Sequence, residues 1–210
     1  VGVAFKMSWV PFHMWTPDVY QGAPAPVTGF LAAAVKVAVF AFVMRWLMMA
    51  QGEYLNGLLL GLTLMAVLSM IMGNLLALRQ SNLKRLLGYS SIAHMGYLIV
   101  TLAATAPDGA AALSTALEGA AIYLITYACM TMLAFAVISQ LAAKDRRFES
   151  GTLMDYEGLL FQQPLLAGSL ILAMLALAGM PLTAGFIGKY YLVLVAVDSQ
   201  LWMLLGLLVL

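Results

Sequence analysis

The stretch Leu177-Ala178-Gly179-Met180-Pro181-Leu182-Thr183-Ala184-Gly185-Phe186-Ile187-Gly188-Lys189 lies inside an apolar segment, residues 164–197, whose only charge is Lys189. As one helix that segment would be about 50 Å long, at about 1.5 Å per residue. A bilayer's hydrocarbon core is about 30 Å thick and is crossed by about 20 apolar residues. The segment is therefore too long for one straight span and too short for two spans and a turn. Pro181 has no backbone donor and clashes with the preceding turn. A single spanning helix broken near Pro181 fits best. Backbone groups freed at membrane depth persist only inside protein or beside a water-filled cavity. The break thus predicts a polar interior, and Gly179, Gly185 and Gly188 leave space for one.

The other end of the chain has the same character. Residues 1–15 are apolar except for Lys6, Ser8 and His13, and Pro11 follows Lys6 by five positions. A second broken helix is expected there, leading into a Pro/Gly-rich stretch, Thr16–Val27. Within it, Thr16-Pro17 before Asp18 reads as a helix cap with proline at the first helical position. Between the two breaks lie spans at 27–50, 55–78, 86–105 and 111–143, and a last span starts near Leu201. In the 111–143 segment, with Glu118 near its start, the helix is expected in the later part. The fold class is all-α: a polytopic transmembrane helix bundle of about six segments plus the start of a seventh. It reads as one membrane domain over 1–210 with no soluble domain. Val1 is not an initiator methionine and Leu201–Leu210 stops in mid-span, so an internal piece of a longer protein is expected.

Composition agrees. Hydrophobic residues make up 64% of the chain and charged ones 9%, against about 45–50% and about 25% in soluble domains. So few charges would not cover a water-soluble surface. The net charge of +1 offers no basic patch for nucleic acid. Cys129 is the single cysteine, which excludes a disulfide framework and argues against a cysteine-based metal site. The 15 methionines read as packing rather than copper ligands. No phosphate loop, dinucleotide fingerprint or metal-ligand spacing is present. No redox cofactor is expected in this chain.

Orientation follows from the basic residues. Arg79, Lys84 and Arg85 cluster after the third span; Lys144, Arg146 and Arg147 cluster after the fifth. The positive-inside rule puts both clusters in the cytoplasm. The two broken helices then run in opposite directions, as an inverted-topology repeat would have them.

Lys6, Lys36 and Lys189 each interrupt an apolar run. A charge at the bilayer centre costs at least about 2.5–3.5 kcal/mol, so each is a candidate functional site. The ordinary alternative is a lysine reaching the headgroups, which suits Arg45, Arg79, Lys84 and Arg85 better. Desolvation disfavours an ammonium's charged form, and a lysine so placed can take up and release protons. No Asp or Glu lies at mid-depth in the same segments, so a counter-ion is expected from outside this stretch. His13 and His94 are candidate relays, and Ser90, Ser91 and Tyr97 could line a wet interior. Lys189, eight residues past Pro181, is placed in the outward half of its span, as the group releasing protons.

Three motifs carry a resemblance. Residues Phe5–Val27, with Asp18-Val19-Tyr20-Gln21-Gly22-Ala23-Pro24, form the first. Asn82–Tyr97, with Gly88-Tyr89-Ser90-Ser91-Ile92-Ala93-His94, forms the second, and Leu177–Lys189 the third. Together they resemble the antiporter-like N subunit of NADH-quinone oxidoreductase, respiratory complex I. Lysine at position 36, where the L and M relatives tend to carry histidine, favours the N type. The resemblance implies roles for Lys6, Lys36 and Lys189 in proton translocation, and with His13 and His94 as relays the path is expected to run through Lys6, His13, Lys36, His94 and Lys189. It also implies a multi-pass protein of the bacterial inner membrane, partnered by other antiporter-like and membrane subunits. FMN, iron–sulfur clusters and quinone would be held by other subunits. The acidic partner lies on a helix that would precede Val1. The L and M relatives also carry a lysine on the helix equivalent to Tyr123–Leu141, which has none here, so the central relay would run through other groups such as His94. The rival readings are a subunit of a cation/proton antiporter complex without redox coupling, and an intramembrane enzyme. No nucleophile–base pair supports the latter.

Overall fold

The computed structural model describes residues 1–49, 54–104 and 110–209. Among these, every regular element is helical, apart from one isolated bridge between Asn82 and Thr152. In chain order the helices are α1 (Gly2–Met7), α2 (Trp15–Gly22), α3 (Ala25–Phe30), a π-helical turn (Leu31–Val35), α4 (Lys36–Met49) and α5 (Tyr54–Ala77). Then follow α6 (Leu83–Ala103), α7 (Ala110–Lys144), the short α8 (Leu159–Gln162), α9 (Pro164–Ala178), α10 (Ala184–Asp198) and α11 (Trp202–Val209). Four stretches among the described residues are long and apolar enough to cross a membrane unaided: Ala25–Met49, Gly57–Ala77, Leu83–Ala103 and Ser114–Lys144.

Both expected breaks are present. α9 and α10 have 15 residues each, about 22 Å apiece, so neither crosses the core alone. α7 packs along both halves. At the other end, α1 stops at Met7 and α2 resumes at Trp15. Each break holds a non-glycine residue in the left-handed region, Ser8 at φ 61° and Leu182 at φ 74°. Such backbone is uncommon and persists where the surrounding structure over-determines it.

The layout inverts that of a soluble bundle. On α5 the outward row Leu60, Leu64, Leu68, Ile71 and Leu75 is exposed, while Ser69 is fully buried. α6 is the axis: 83% of its apolar window is buried, against 28% for α5. α6 is also the least uniformly apolar of these spans, carrying Ser90, Ser91, His94 and Tyr97. The polar residues are therefore gathered in the middle of the bundle.

The two basic loops meet. Asn82 caps α6, accepting from the Lys84 and Arg85 amides at 3.0 and 3.2 Å, and its Nδ2 donates to the Ser150 carbonyl at 2.6 Å. The Leu83 amide donates to the Gly151 carbonyl, and the Leu153 amide to that of Ser81. Arg85 also pairs with Asp18 at 2.5 Å and donates to Gln21 at 3.0 Å near the end of α2. Lys144 donates to Gln163, which caps α9. The first broken helix thus ends, and the second begins, on one face, so they run in opposite directions as expected.

Four local readings are corrected. α7 fills the whole of Ala110–Lys144, 35 residues, or about 52 Å, rather than the later part; tilt or projection beyond the core accommodates the excess. Thr16–Gly22 belongs to the second half of the first broken helix. Its N-cap is Met14, and the Thr16 hydroxyl instead donates to Ser8 Oγ across the break at 2.6 Å. Lys84 is buried rather than reaching outward, whereas Arg45 and Arg79 are exposed. The fourth span starts at Leu83 because the Asn82 cap sets its first turn.

Candidate functional site

Lys36 opens α4 directly after the π turn Leu31–Val35. A π turn shifts the phase of the following helix and recurs at functional sites. Lys36 is 1% exposed. Its Nζ donates to Ser91 Oγ at 2.5 Å and lies 5.8 Å from the Tyr20 ring centre. Ser91 Oγ is in turn 2.6 Å from the Tyr127 hydroxyl.

One turn further along α6, His94 Nδ1 lies 2.5 Å from the Tyr123 hydroxyl. The His94 ring is 5.7 Å from that of Tyr97 and 5.1 Å from that of Tyr127. Ser91 and His94 are three apart on α6, and Tyr123 and Tyr127 four apart on α7, so each pair shares a helix face. Asn74 Nδ2 donates to the Tyr97 hydroxyl at 3.1 Å. His94 stands within electrostatic reach of both Lys36 and Lys189.

Lys189 is placed by the second break. α10 restarts at Ala184, so Lys189 is only five residues into it, and its side chain turns back toward the break. Nζ donates to the Ala178 carbonyl at the end of α9 at 2.9 Å and lies 5.2 Å from the Tyr97 ring centre. The ammonium sits at the break, at the far end of α9 from the basic-loop face. A helical side chain leans toward its helix's N-terminus, and the last carbonyls of α9 attract a cation. At two glycines of the break, neighbouring groups approach closely. A Cβ on Gly179 would lie 2.7 Å from Lys189 Cδ, and one on Gly185 would run into the Ala176 carbonyl.

A cavity of about 710 Å³ joins these groups to the basic-loop face; Lys189, His94, Tyr97 and Asn74 line one part of it, Gln80 and Leu153 another. No hydrogen bond or ring contact among the described residues ties Lys6 or His13 to this cluster. Lys6 lies in the last turn of α1 and is exposed. His13 is buried in the first break, where its Nδ1 and the Trp9 Nε1 have no partner among the described residues. The ion pairs among the described residues, Arg85–Asp18 and Arg147–Asp145, involve none of the three lysines. Sequence reading missed Tyr20, Tyr123 and Tyr127. The four-residue spacing of Tyr123, Tyr127 and Thr131 along an apolar helix was the available signal.

A buried lysine bonded to a hydroxyl, followed by a histidine and a second lysine at a helix break, is an arrangement suited to moving protons rather than to binding a metal or attacking a carbonyl. The family model described as NADH:quinone oxidoreductase/Mrp antiporter, transmembrane, matches residues 1–210. The chain belongs to this family. It is 51% identical, over 213 aligned positions and 100% of its length, to NADH-quinone oxidoreductase subunit N of Ectopseudomonas mendocina. It spans 41% of that relative's length. Among solved structures it is similar to a chain of respiratory complex I from Thermus thermophilus, with 40% identity and a TM-score of 0.79 over 99% of this chain and 43% of that one. It is similar also to a chain of an archaeal membrane-bound sulfane sulfur reductase, with 26% identity and a TM-score of 0.88 over 99% and 41%. Likeness to a chain of the Mrp complex from Dietzia sp., at 21% identity and a TM-score of 0.82, shows the shared fold. The N-type resemblance read from the three motifs agrees with the 51% relative.

Proposed function

We propose that this chain is the proton-translocating core of an N-type subunit of NADH-quinone oxidoreductase, a multi-pass protein of the bacterial inner membrane. Electron transfer to quinone would take place in other subunits, and this chain would form one membrane module beside other antiporter-like subunits. The observation that carries the reading is Lys36: a fully buried ammonium, donating to a neutral hydroxyl, with no carboxylate paired to it among the described residues. An ammonium at membrane depth is costly, and proton transfer is the use that would keep it. His94 and Lys189 continue the path, with the 710 Å³ cavity as its link to the basic-loop face. Lys6, exposed at the first break, and His13 would serve the second half of the path, where an acidic group from outside this stretch would meet them. The redox-coupled reading is preferred to a stand-alone cation/proton antiporter because subunit N is the relative at 51% identity.

The test uses the full-length subunit in its assembled complex, reconstituted in vesicles. Lys36→Ala should lower proton translocation per electron by at least about tenfold, a lower bound beside the roughly 10²–10⁴-fold typical of losing a proton-transfer group. Lys36→Arg should fail similarly, because a guanidinium does not give up its proton in proteins. Wild-type translocation by both variants would overturn the reading.

A further inference from the structure

Ser91 stands beside Lys36, Tyr20 and Tyr127. Nζ reaches Ser91 Oγ, and Ser91 Oγ reaches the Tyr127 hydroxyl. Tyr123, Tyr127 and Thr131 stand at four-residue steps on one face of α7, so their hydroxyl groups form a row. Tyr123 holds His94 Nδ1, and the Thr131 Oγ1 is buried next to Tyr127. Between Tyr127 and the second lysine lies a small pocket of about 10 Å³, lined by His94, Tyr123, Thr126, Tyr127 and Lys189 among others. That is close to the space one water molecule requires, and these groups give it polar partners.

We propose that Ser91 and Tyr127 are proton-relay residues that connect Lys36 to the His94–Lys189 end of the site. The proposal rests on the reading of Lys36 as a titrating group. An ammonium only donates, so with Lys36 charged Ser91 Oγ accepts from Nζ and donates to Tyr127. With Lys36 neutral, its lone pair accepts from Ser91, which accepts from Tyr127. The chain therefore reverses polarity when Lys36 changes charge. In the transfer itself, an N–H bond of Lys36 breaks as an O–H bond forms on Ser91. The former Ser91 proton bonds to the Tyr127 oxygen, and the former Tyr127 proton passes to a water in the small pocket, in reach of His94. Each hydroxyl ends neutral, and one proton has moved from Lys36 to the pocket. This route does for the chain what a lysine on α7 would otherwise do.

The experiment compares Ser91→Thr with Ser91→Val, two side chains of nearly the same shape that differ in the hydroxyl, and adds Tyr127→Phe. All are made in the full-length subunit of the assembled complex, alongside Lys36→Ala, and proton translocation per electron is read in vesicles. Ser91→Thr should retain most of the translocation, while Ser91→Val and Tyr127→Phe should each lose about tenfold or more. Equal translocation by the Thr and Val variants would overturn the relay, whether both are high or both are low. If Tyr127→Phe does not assemble, the Ser91 pair decides. Wild-type behaviour of Ser91→Val and Tyr127→Phe beside an inactive Lys36→Ala sinks the relay but leaves the proposed function. An active Lys36→Ala removes the proposed function itself.

Discussion

Lys189 shows how little the position of a Cα says about where a long side chain delivers its charge. Its backbone lies past the break, but its ammonium returns to the Ala178 carbonyl. Lys189→Met should therefore remove a helix cap as well as a titratable group. The loss of one hydrogen bond from a charged group is worth about 1.5–3 kcal/mol, so the complex should assemble with somewhat lower thermal stability. Proton translocation per electron should fall nonetheless. Assembly, melting temperature and translocation measured on one preparation check this; a wild-type ratio of protons to electrons would leave Lys189 as a cap alone. The three lysines stood out in the sequence because a charge in an apolar run has a large energetic cost; the structure brings Lys36 and Lys189 near His94 and leaves Lys6 exposed. Ser91, Tyr123 and Tyr127 were not picked out as site residues, since hydroxyl-bearing residues are tolerated throughout apolar helices. Their importance lies in partners on other helices, 36 residues away in the case of Ser91 and Tyr127.

At the scale of elements, both breaks were legible, since proline and length decide them locally. What fills a break was not. Gly179 has φ 79°, and its missing Cβ is the space through which Lys189 passes. Gly179→Ala should cost about 1 kcal/mol or more, since alanine is strained at positive φ, and it should also push the Lys189 side chain off the Ala178 carbonyl. Both a lower melting temperature and weaker proton translocation are expected. Loss of stability with unchanged translocation would show that Lys189 tolerates the displacement. The π turn before Lys36 had no sequence signal at all, because Leu31–Val35 is a run of small and aliphatic residues compatible with a regular helix. Its place there aims Lys36 at Ser91 on α6, a consequence of packing between helices rather than of any local preference.

For the molecule as a whole, the two basic loops lie on one face and are bound to each other through Asn82. Asn82→Ala removes a cap worth about 1 kcal/mol and, with it, the 2.6 Å bond to Ser150. The expected result is faster proteolysis of the 145–163 connector in the assembled complex, with the spans themselves intact. Asn82→Asp keeps the cap's acceptor but has no donor for the Ser150 carbonyl, and should fall between alanine and wild type. Equal protection of all three forms would show that the loops hold together without this side chain. The sequence alone determined that the chain spans a membrane many times, where its helices break, which face carries the basic loops and which family its motifs belong to. Each of these follows from local quantities: apolar run length, proline, and the distribution of lysine and arginine. Tertiary structure alone decided which polar residues meet, that Lys189 points back into the break, and that the cavity beside it reaches the basic-loop face. Those depend on how helices rotate against one another, and a side chain's partners across a bundle are set by that packing, not by its neighbours in the chain.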